Sequence, residues 1–338
     1  MATYYAALSD RVLVGEGGWT QRLVGHGVEC VAAGGDRAVV GTDDGRVYLT
    51  TDSGETWEGV ELPAASGGRA VDRVTSVTGS PHDPEVFFAG TEPSAVFRSR
   101  DGGETWENVD SRSTATASGE SRATEREGLT DLDSADRWSF PPRPHTHHVR
   151  WLELAPDDPE TLYVAIEAGA FVRSTDGGRT WVDHPTGGRR DNHTLAVHPG
   201  TPGRVYTAAG DGYALSPDGG RTWTYPTDGL DHRYVWGVAV HPDDPDTVVV
   251  SAASGPRTAH STRGESYVYR TTGDGWTQAM DGLPGPGGLA RAVLESDESG
   301  FLALTNRGLF RAEDGATWAQ VEDWDDAFQQ VPHGLAVV

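Results

Sequence analysis

The stretch that decides the fold is Ser99-Arg100-Asp101-Gly102-Gly103-Glu104-Thr105-Trp106. The pattern Ser-x-Asp-Gly-Gly-x-Thr-Trp returns at 174–181 and 216–223, and a near copy occupies 50–57. Ser, Thr and Asp side chains can hydrogen-bond the backbone of a tight turn, glycine adopts positive φ, and tryptophan packs where the next strand begins. The pattern therefore predicts a turn that closes a β-hairpin and is repeated along the chain.

Weaker copies of this turn extend the repeat towards both ends of the chain. The tryptophans at the equivalent position are Trp19, Trp57, Trp106, Trp181, Trp223, Trp276 and Trp318. Successive spacings are 38, 49, 75, 42, 53 and 42 residues, which gives seven units of about forty residues with one large insertion.

Within a unit the hydrophobic pattern has a period of two. The fifth unit contains four short strand-like runs separated by turn residues, at 193–197, 205–209, 213–215 and 223–225. Seven four-stranded units predict an all-β fold, a seven-bladed β-propeller formed by residues 1–338 as one domain. The first unit lacks an inner strand, and 332–338 repeats the inner-strand pattern of 193–197. We therefore expect the C-terminal strand to pair into the first blade and close the ring.

The repeated octapeptide resembles the BNR repeat, or Asp-box, of sialidases, xyloglucanases, sortilin-type receptors and photosystem II assembly factors. The resemblance covers nearly the whole chain and implies a β-propeller. In most families that carry it, the box is a structural device. The resemblance therefore implies a structural role in the turn, and not catalysis, for Asp52, Asp101, Asp176 and Asp218.

The composition is strongly acidic. The chain has 51 Asp and Glu residues against 27 basic ones, all of them Arg, and a formal net charge of −24. This composition resembles that of extreme halophiles, which implies a haloarchaeal source and a surface charge that serves solubility. A negative surface repels phosphate backbones, so the charge disfavours a nucleic-acid partner.

The apolar runs are too short to span a membrane, which takes about 20 residues. The first residues lack the positive region and long apolar stretch of a secretory signal. We therefore expect no membrane span and a cytoplasmic location. Cys30 is the single cysteine, so the chain has no intrachain disulfide.

Two insertions point to one face of the propeller. The first, 110–147, separates the outer strand of the third blade from the inner strand of the fourth. The second, 254–266, lies between the second and third strands of the sixth blade. Both connections emerge on the same face, and long loops in a compact domain are usually either functional or disordered. This face is therefore the predicted location of the site.

Several histidines precede or begin the inner strands, which surround the channel. They are His26, His148, His193, His232 and His333. Neutral imidazoles from several blades could hold a divalent or copper ion at the channel mouth. The alternative is that these rings satisfy loop backbone groups or line a wet channel, because only His193 and His333 share one register position.

Three functions are compatible with these features. The preferred hypothesis is a non-catalytic propeller that binds a protein, or a small-molecule or carbohydrate ligand, or that assists assembly. Its looped face would bind through Arg150, Trp151, Glu167, Tyr234 and Trp236. The second hypothesis is a metal-dependent enzyme with a histidine-lined site at the channel mouth. The third is a protein like the glycoside hydrolases, which needs two carboxylates across a cleft that the sequence alone does not select.

Overall fold

The computed structural model describes residues 2–15, 17–109 and 128–338. Within these ranges the strands form seven antiparallel sheets of consecutive strands, and one sheet also takes in the last strand of the chain. The innermost strand of each sheet contacts the innermost strands of its two neighbours, and the circuit closes on itself. The chain is thus an all-β, seven-bladed β-propeller, as the repeat predicts.

The strands follow one another in chain order, each blade running outwards from the channel. Blade 1 contains β1 (Tyr4–Leu8), β2 (Arg11–Gly15) and β3 (Trp19–Arg22). Blade 2 contains β4 (Val28–Gly34), β5 (Arg37–Thr42), β6 (Arg46–Thr50) and β7 (Glu58–Glu61). Blade 3 contains β8 (Arg73–Gly79), β9 (Phe87–Glu92), β10 (Val96–Ser99) and β11 (Glu107–Asn108). Blade 4 contains β12 (Val149–Ala155), β13 (Asp158–Ile166) and β14 (Ala170–Ser174).

The last three blades and the closing strand complete the ring. Blade 5 contains β15 (Asn192–Val197), β16 (Val205–Ala209) and β17 (Gly212–Ser216). Blade 6 contains β18 (Tyr234–Val240), β19 (Val248–Ala253), β20 (Tyr267–Thr271) and β21 (Trp276–Gln278). Blade 7 contains β22 (Val293–Asp297), β23 (Gly300–Thr305), β24 (Gly308–Ala312) and β25 (Ala319–Gln320), and the closing strand is β26 (Gly334–Val337).

Short helical turns connect some of the strands. They are the helix α1 (Pro256–Ala259) and 3₁₀ turns at Ser66–Gly68, Leu129–Asp131, Ala135–Arg137 and Asp326–Phe328. Across the described part of the chain, none of the helices has the length and apolar character needed to cross a bilayer.

Blades 4 and 5 have shorter outer edges than the other blades. Their fourth position is a single bridge, made by Val182 in blade 4 and by Thr224 in blade 5. A proline follows each bridge within three residues, Pro185 in one case and Pro226 in the other. Proline has no N–H to donate to a neighbouring strand, so the pairing stops there.

The ring closes through the C-terminal strand, as predicted. Gly334–Val337 pairs antiparallel with Tyr4–Ala7, which places β26 as the inner strand of blade 1. Thr3 and Val338 extend the pairing with two backbone hydrogen bonds of 2.8 and 3.1 Å. Leu335 is 2% exposed, so the closing strand also contributes to the core.

The hydrophobic core lies between neighbouring blades. Phe88 and Val96 of blade 3 pack in one cluster with Leu154 and Val164 of blade 4. Comparable clusters join blades 5 and 6, and blades 6 and 7. Because each sheet is buried against its neighbours, the inner strands are held rigidly around the channel.

The turns with the repeated octapeptide are closed by their own polar side chains. In blade 4, Asp176 accepts hydrogen bonds from the backbone N–H of Thr180 at 2.9 Å and from its hydroxyl at 2.8 Å. The Ser174 hydroxyl donates to Asp176 at 2.8 Å and accepts from the N–H of Gly178 at 2.9 Å. The same network surrounds Asp52, Asp101 and Asp218. Each carboxylate is therefore engaged within its own turn.

We expect Asp176→Ala to lower the free energy of unfolding by about 1–2 kcal/mol, because two or three hydrogen bonds to a charged acceptor are lost. Asp274→Ala, in the degenerate turn of blade 6, is the matched control, since Asp274 is exposed and makes no hydrogen bond within the described chain. Urea denaturation of both variants measures the difference. Equal stabilities would contradict a structural role for the box aspartate.

Candidate functional site

A cavity of about 470 Å³ opens where the inner strands begin, at one end of the channel. Each blade contributes a side chain to its wall, either from its inner strand or from the residues just before it. In the order of blades 1 to 7 these residues are His333, Glu29, Thr75, Arg150, His193, Trp236 and Arg291. We call this space the mouth cavity.

A shared irregularity of the inner strands explains why these side chains converge. In blades 2 to 6 the pairing between the first and second strands skips one residue near the start of the inner strand. The skipped residues are Glu29, Thr75, Arg150, His193 and Trp236. A β-bulge of this kind re-aims a side chain out of the regular alternation. Each of these five blades therefore turns one side chain into the mouth cavity.

Both insertions contribute to the same wall. The first insertion supplies 140–143, and the second supplies Pro256 and His260. The part of the first insertion at 110–127 lies outside the described residues. Phe140 and the prolines give this side of the mouth cavity an apolar surface.

The first insertion is fixed to the propeller by an ion pair between the half-buried Arg143 and the buried Glu92. The guanidinium of Arg143 donates to both carboxylate oxygens of Glu92, at 2.8 and 2.5 Å, and Glu92 is 3% exposed. Arg143 also stacks on the ring of Phe140, 4.7 Å from its centroid. A bidentate pair with a buried carboxylate is a strong, directional contact, so 140–143 is a defined part of the wall.

An acidic group forms one side of the mouth cavity. Glu167, Asp191 and His193 each place one donor atom within 4.8 Å of the others. The His193 ring donates from Nδ1 to the carbonyl of Val235 at 2.8 Å, so its Nε2 points to Asp191 Oδ2, 3.7 Å away. His148 Nε2 donates to Glu167 Oε2 at 2.9 Å.

The protonation behaviour of this group follows from its surroundings. Burial opposes ionisation of Glu167, but the hydrogen bond that His148 donates and the positive charge of Arg150 outweigh it, and the pKa of Glu167 falls to about 2. Burial raises the pKa of Asp191, and burial lowers the pKa of His193. The environment therefore lowers the pKa of Glu167 and raises the pKa of Asp191.

A cationic group forms the other side. Arg291 is 4% exposed and lies over the indole of Trp236, with its guanidinium carbon 4.0 Å from the ring centroid. Arg150 also stacks on this ring, at 4.6 Å, and its Nε lies 3.6 Å from Glu167 Oε2. Burial, and then the charge of Arg150, lower the pKa of Arg291 to about 9.

Arg291 differs from Arg150 in having no counter-ion in the part of the chain that the structure describes. Among the described residues no carboxylate lies within ion-pair distance of Arg291, and its buried Nη1 has no hydrogen-bond partner. Its Nε donates to Nδ1 of His260 at 3.3 Å, and His260 Nε2 lies 3.0 Å from the hydroxyl of Tyr234. Burial and the charge of Arg291 lower the pKa of His260 to about 3, so this ring is neutral and brings no negative charge.

The structure brings most of the sequence-predicted site residues together. The mouth cavity is lined by Arg150, Glu167, Tyr234, Trp236, His148, His193 and His333. Of the five histidines predicted as metal ligands, His193 alone belongs to the group with Glu167 and Asp191.

Three predicted residues lie elsewhere. The ring of His26 packs on Tyr48 outside the cavity, at 4.8 Å between centroids. His232 stacks on Tyr267 at 4.0 Å and meets another tyrosine hydroxyl, so it is held in blade 6. Trp151 follows the bulge of β12 and points away from the mouth; it lines a second cavity of about 490 Å³. These residues therefore do not join the mouth cavity.

The sequence-predicted set leaves out Asp191, His260 and Arg291. Asp191 lies directly before β15, and Arg291 lies two residues before β22, so both stand where the chain enters an inner strand. That position was the available signal for both. His260 arrives through the second insertion, and its contact with Arg291 depends on packing between blades 6 and 7.

Comparisons with known proteins agree with the fold. The BNR/Asp-box repeat model matches residues 97–108, so the chain is a β-propeller with a BNR-type repeat. A search of curated proteins found no matching sequence.

Similar solved structures include enzymes and a peptide-bound propeller. A GH74 enzyme of Niastella koreensis has a TM-score of 0.65 and 16% identity, covering 94% of this chain and 51% of its own. The GH74 xyloglucanase of Xanthomonas campestris has a TM-score of 0.61 and 16% identity, and the match covers 98% of this chain and 52% of the xyloglucanase chain. YCF48 bound to D1 peptide has a TM-score of 0.53 and 14% identity, and the match covers 87% of this chain and 82% of the YCF48 chain. The chain spans about half the length of the two GH74 structures, and at these identities the likeness shows the fold alone.

Proposed function

We propose that this protein is a non-catalytic, ligand-binding propeller whose mouth cavity takes a small organic acid, with the carboxylate of the ligand bound to Arg291. The observation that carries the proposal is the burial of Arg291 without a counter-ion among the described residues. A buried charge is costly unless it is paired. A guanidinium presents a fork of donors that fits a carboxylate. A bound carboxylate would use the free Nη1 and supply the missing charge.

The rest of the wall suits a ligand with one charge and an apolar body. Phe140, Pro141, Pro142 and Pro256 offer apolar surface, and the volume of about 470 Å³ is that of a small-molecule site. Glu29, Glu167 and Asp191 add negative charge to the wall. That charge disfavours ligands with several negative groups and favours a monocarboxylate.

A protein ligand is the second candidate, because YCF48, a propeller of similar fold, has been solved with a D1 peptide. A peptide would present its terminal carboxylate to Arg291 in the same way. A sugar is less well supported, since the indole of Trp236 is 6% exposed and is covered by Arg150, Arg291 and His193. It therefore offers no open face on which a pyranose could stack.

Calorimetric titration with benzoate, and with benzyl alcohol as its uncharged analogue, tests the proposal at fixed chloride concentration. We expect benzoate alone to bind, and Arg291→Met to weaken binding by about 10- to 100-fold, the effect of a lost charge-assisted hydrogen bond. Arg263→Gln is the control, because Arg263 is an exposed arginine of the second insertion. Without ligand, Arg291→Met should melt at a higher temperature than the wild type, because an unpaired buried charge is removed.

Equal benzoate affinity in the wild type and Arg291→Met would contradict the proposal. A peptide with a free C-terminus that binds more tightly than benzoate, and loses affinity on amidation, would assign the site to a protein ligand.

A further inference from the structure

We infer that Glu167, Asp191 and His193 form a binding site for one divalent transition-metal cation in the wall of the mouth cavity. Glu167 follows β13 of blade 4, and the other two residues stand at the start of β15 in blade 5. Their donor atoms lie within 4.8 Å of one another. Ligand distances of about 2.0–2.2 Å place two ligands of one ion at most about 4.4 Å apart, so a small contraction brings all three onto a cation.

The orientation of His193 is the second observation that points to a cation. The ring is 1% exposed, and its Nδ1 must carry the hydrogen because a carbonyl oxygen, that of Val235, accepts from it. Nε2 then presents a lone pair to Asp191 Oδ2 at 3.7 Å, too far for a hydrogen bond. Within the described chain Nε2 has no hydrogen-bond partner. Two lone pairs that face each other at this distance leave room for a cation between them.

The groups behind the three ligands hold them in place. The backbone N–H of Ala168 donates to Asp191 Oδ1 at 3.1 Å, which leaves Oδ2 for the cation. His148 donates to Glu167 at 2.9 Å. The Val235 carbonyl fixes the ring of His193. Supporting hydrogen bonds of this kind orient metal ligands and set the tautomer of a ligating histidine.

The donor set indicates the class of ion. Two carboxylate oxygens and one imidazole nitrogen suit Mn²⁺, Fe²⁺ or Zn²⁺ better than Ca²⁺, which prefers oxygen ligands throughout. Three protein ligands leave further coordination positions open to the mouth cavity. Arg150, 3.6 Å from Glu167, adds a positive charge beside the cation. The carboxylates of Glu167 and Asp191 balance the two charges of the cation. The organic acid on Arg291, which rests on the proposed function, would add a further negative charge to the mouth cavity and so favour cation binding.

Titration of metal-free protein with Mn²⁺ alone, without any organic acid, tests the site. The electron paramagnetic resonance signal of free Mn²⁺ decreases as the ion binds, so the titration gives the number of bound ions. We expect one ion per chain. Asp191→Asn should lower the affinity by about tenfold or more, while its amide oxygen can still accept from Ala168. His232→Gln is the control for loss of an imidazole outside the mouth cavity, and it should bind Mn²⁺ like the wild type.

The absence of a saturable site, or equal affinities of the wild type and Asp191→Asn with unchanged melting temperatures, would overturn the inference. The failures of the two proposals are distinguishable. Arg291→Met should still bind Mn²⁺ alone if the cation site is correct. Benzoate binding measured in the presence of a chelator reports on Arg291 without the cation.

Discussion

Removal of residues 334–338 is expected to abolish cooperative folding at 37 °C. The deletion takes away the inner strand of blade 1, its pairing with Tyr4–Ala7 and the buried side chain of Leu335. The loss of one large buried side chain and several backbone hydrogen bonds amounts to at least about 4 kcal/mol. It also exposes β1 as an unpaired edge, which favours aggregation. Circular dichroism during thermal unfolding, together with light scattering, measures both effects.

A point substitution keeps this expectation testable if the shortened chain does not accumulate. Leu335→Asp places a charge in the core beside the paired strands β26 and β1, and should lower the free energy of unfolding by about 3–5 kcal/mol. Val338→Asp is its control, because Val338 is 37% exposed at the end of the same segment. A shortened protein that melts within a few degrees of the wild type would show that the ring does not depend on this strand.

The second large effect concerns pH and the cavity at the other end of the channel. Glu153 of β12 and Glu295 of β22 both line it. Burial raises the pKa of Glu153 to about 7, although the Trp151 indole donates to its carboxylate at 2.8 Å. Burial, and then the charge of Glu153, raise the pKa of Glu295 to about 8. Between pH 5 and 8 the folded chain therefore holds protons that the unfolded chain has released.

Stability consequently falls as pH rises through this range, because the folded state binds more protons than the unfolded state. Since both carboxyl groups border a cavity, we expect a loss of about 3 kcal/mol between pH 5 and 8.5, less than the full linkage value. The double substitution Glu153→Gln and Glu295→Gln should remove this loss. Urea denaturation at both pH values gives the difference between the variants, in which the other titrating groups cancel.

Glu298→Gln is the control for this measurement, because it removes an exposed carboxyl group close to β22. It should follow the pH profile of the wild type. Parallel pH profiles of the wild type and the double variant would show that the two carboxyl groups ionise normally.

The sequence alone was enough to predict the blades, because each blade is made of local hairpins whose turns carry their own signals. The octapeptide predicted where hairpins close, and the match between 332–338 and 193–197 predicted the closing strand. The repeat predicted four full strands in every blade. The short outer edges of blades 4 and 5 depend on Pro185 and Pro226, a local signal that this prediction did not take into account. The halophilic source and the cytoplasmic location inferred from the sequence stay predictions.

The site could be predicted only in part, because it is built across blades. Arg150, His193 and Trp236 occupy the same register position in their inner strands, and the bulges place all three in the mouth cavity. The same register could not show that Trp151, one residue later, turns to the other cavity. The approach of Glu167 to Asp191 and His193, and the lack of a carboxylate beside Arg291 among the described residues, depend on side chains from neighbouring sheets that no local pattern specifies.

The bulges also separate the side chains that line the mouth cavity from the strand pairing that sets the register of each blade. A residue skipped by strand pairing takes no part in the register that aligns its blade, so its side chain can be exchanged without shifting the residues that follow. Five neighbouring blades each offer one such position around a common centre. One scaffold can therefore acquire new ligand preferences by substitution at a handful of sites, while the interior that stabilises the ring keeps its sequence.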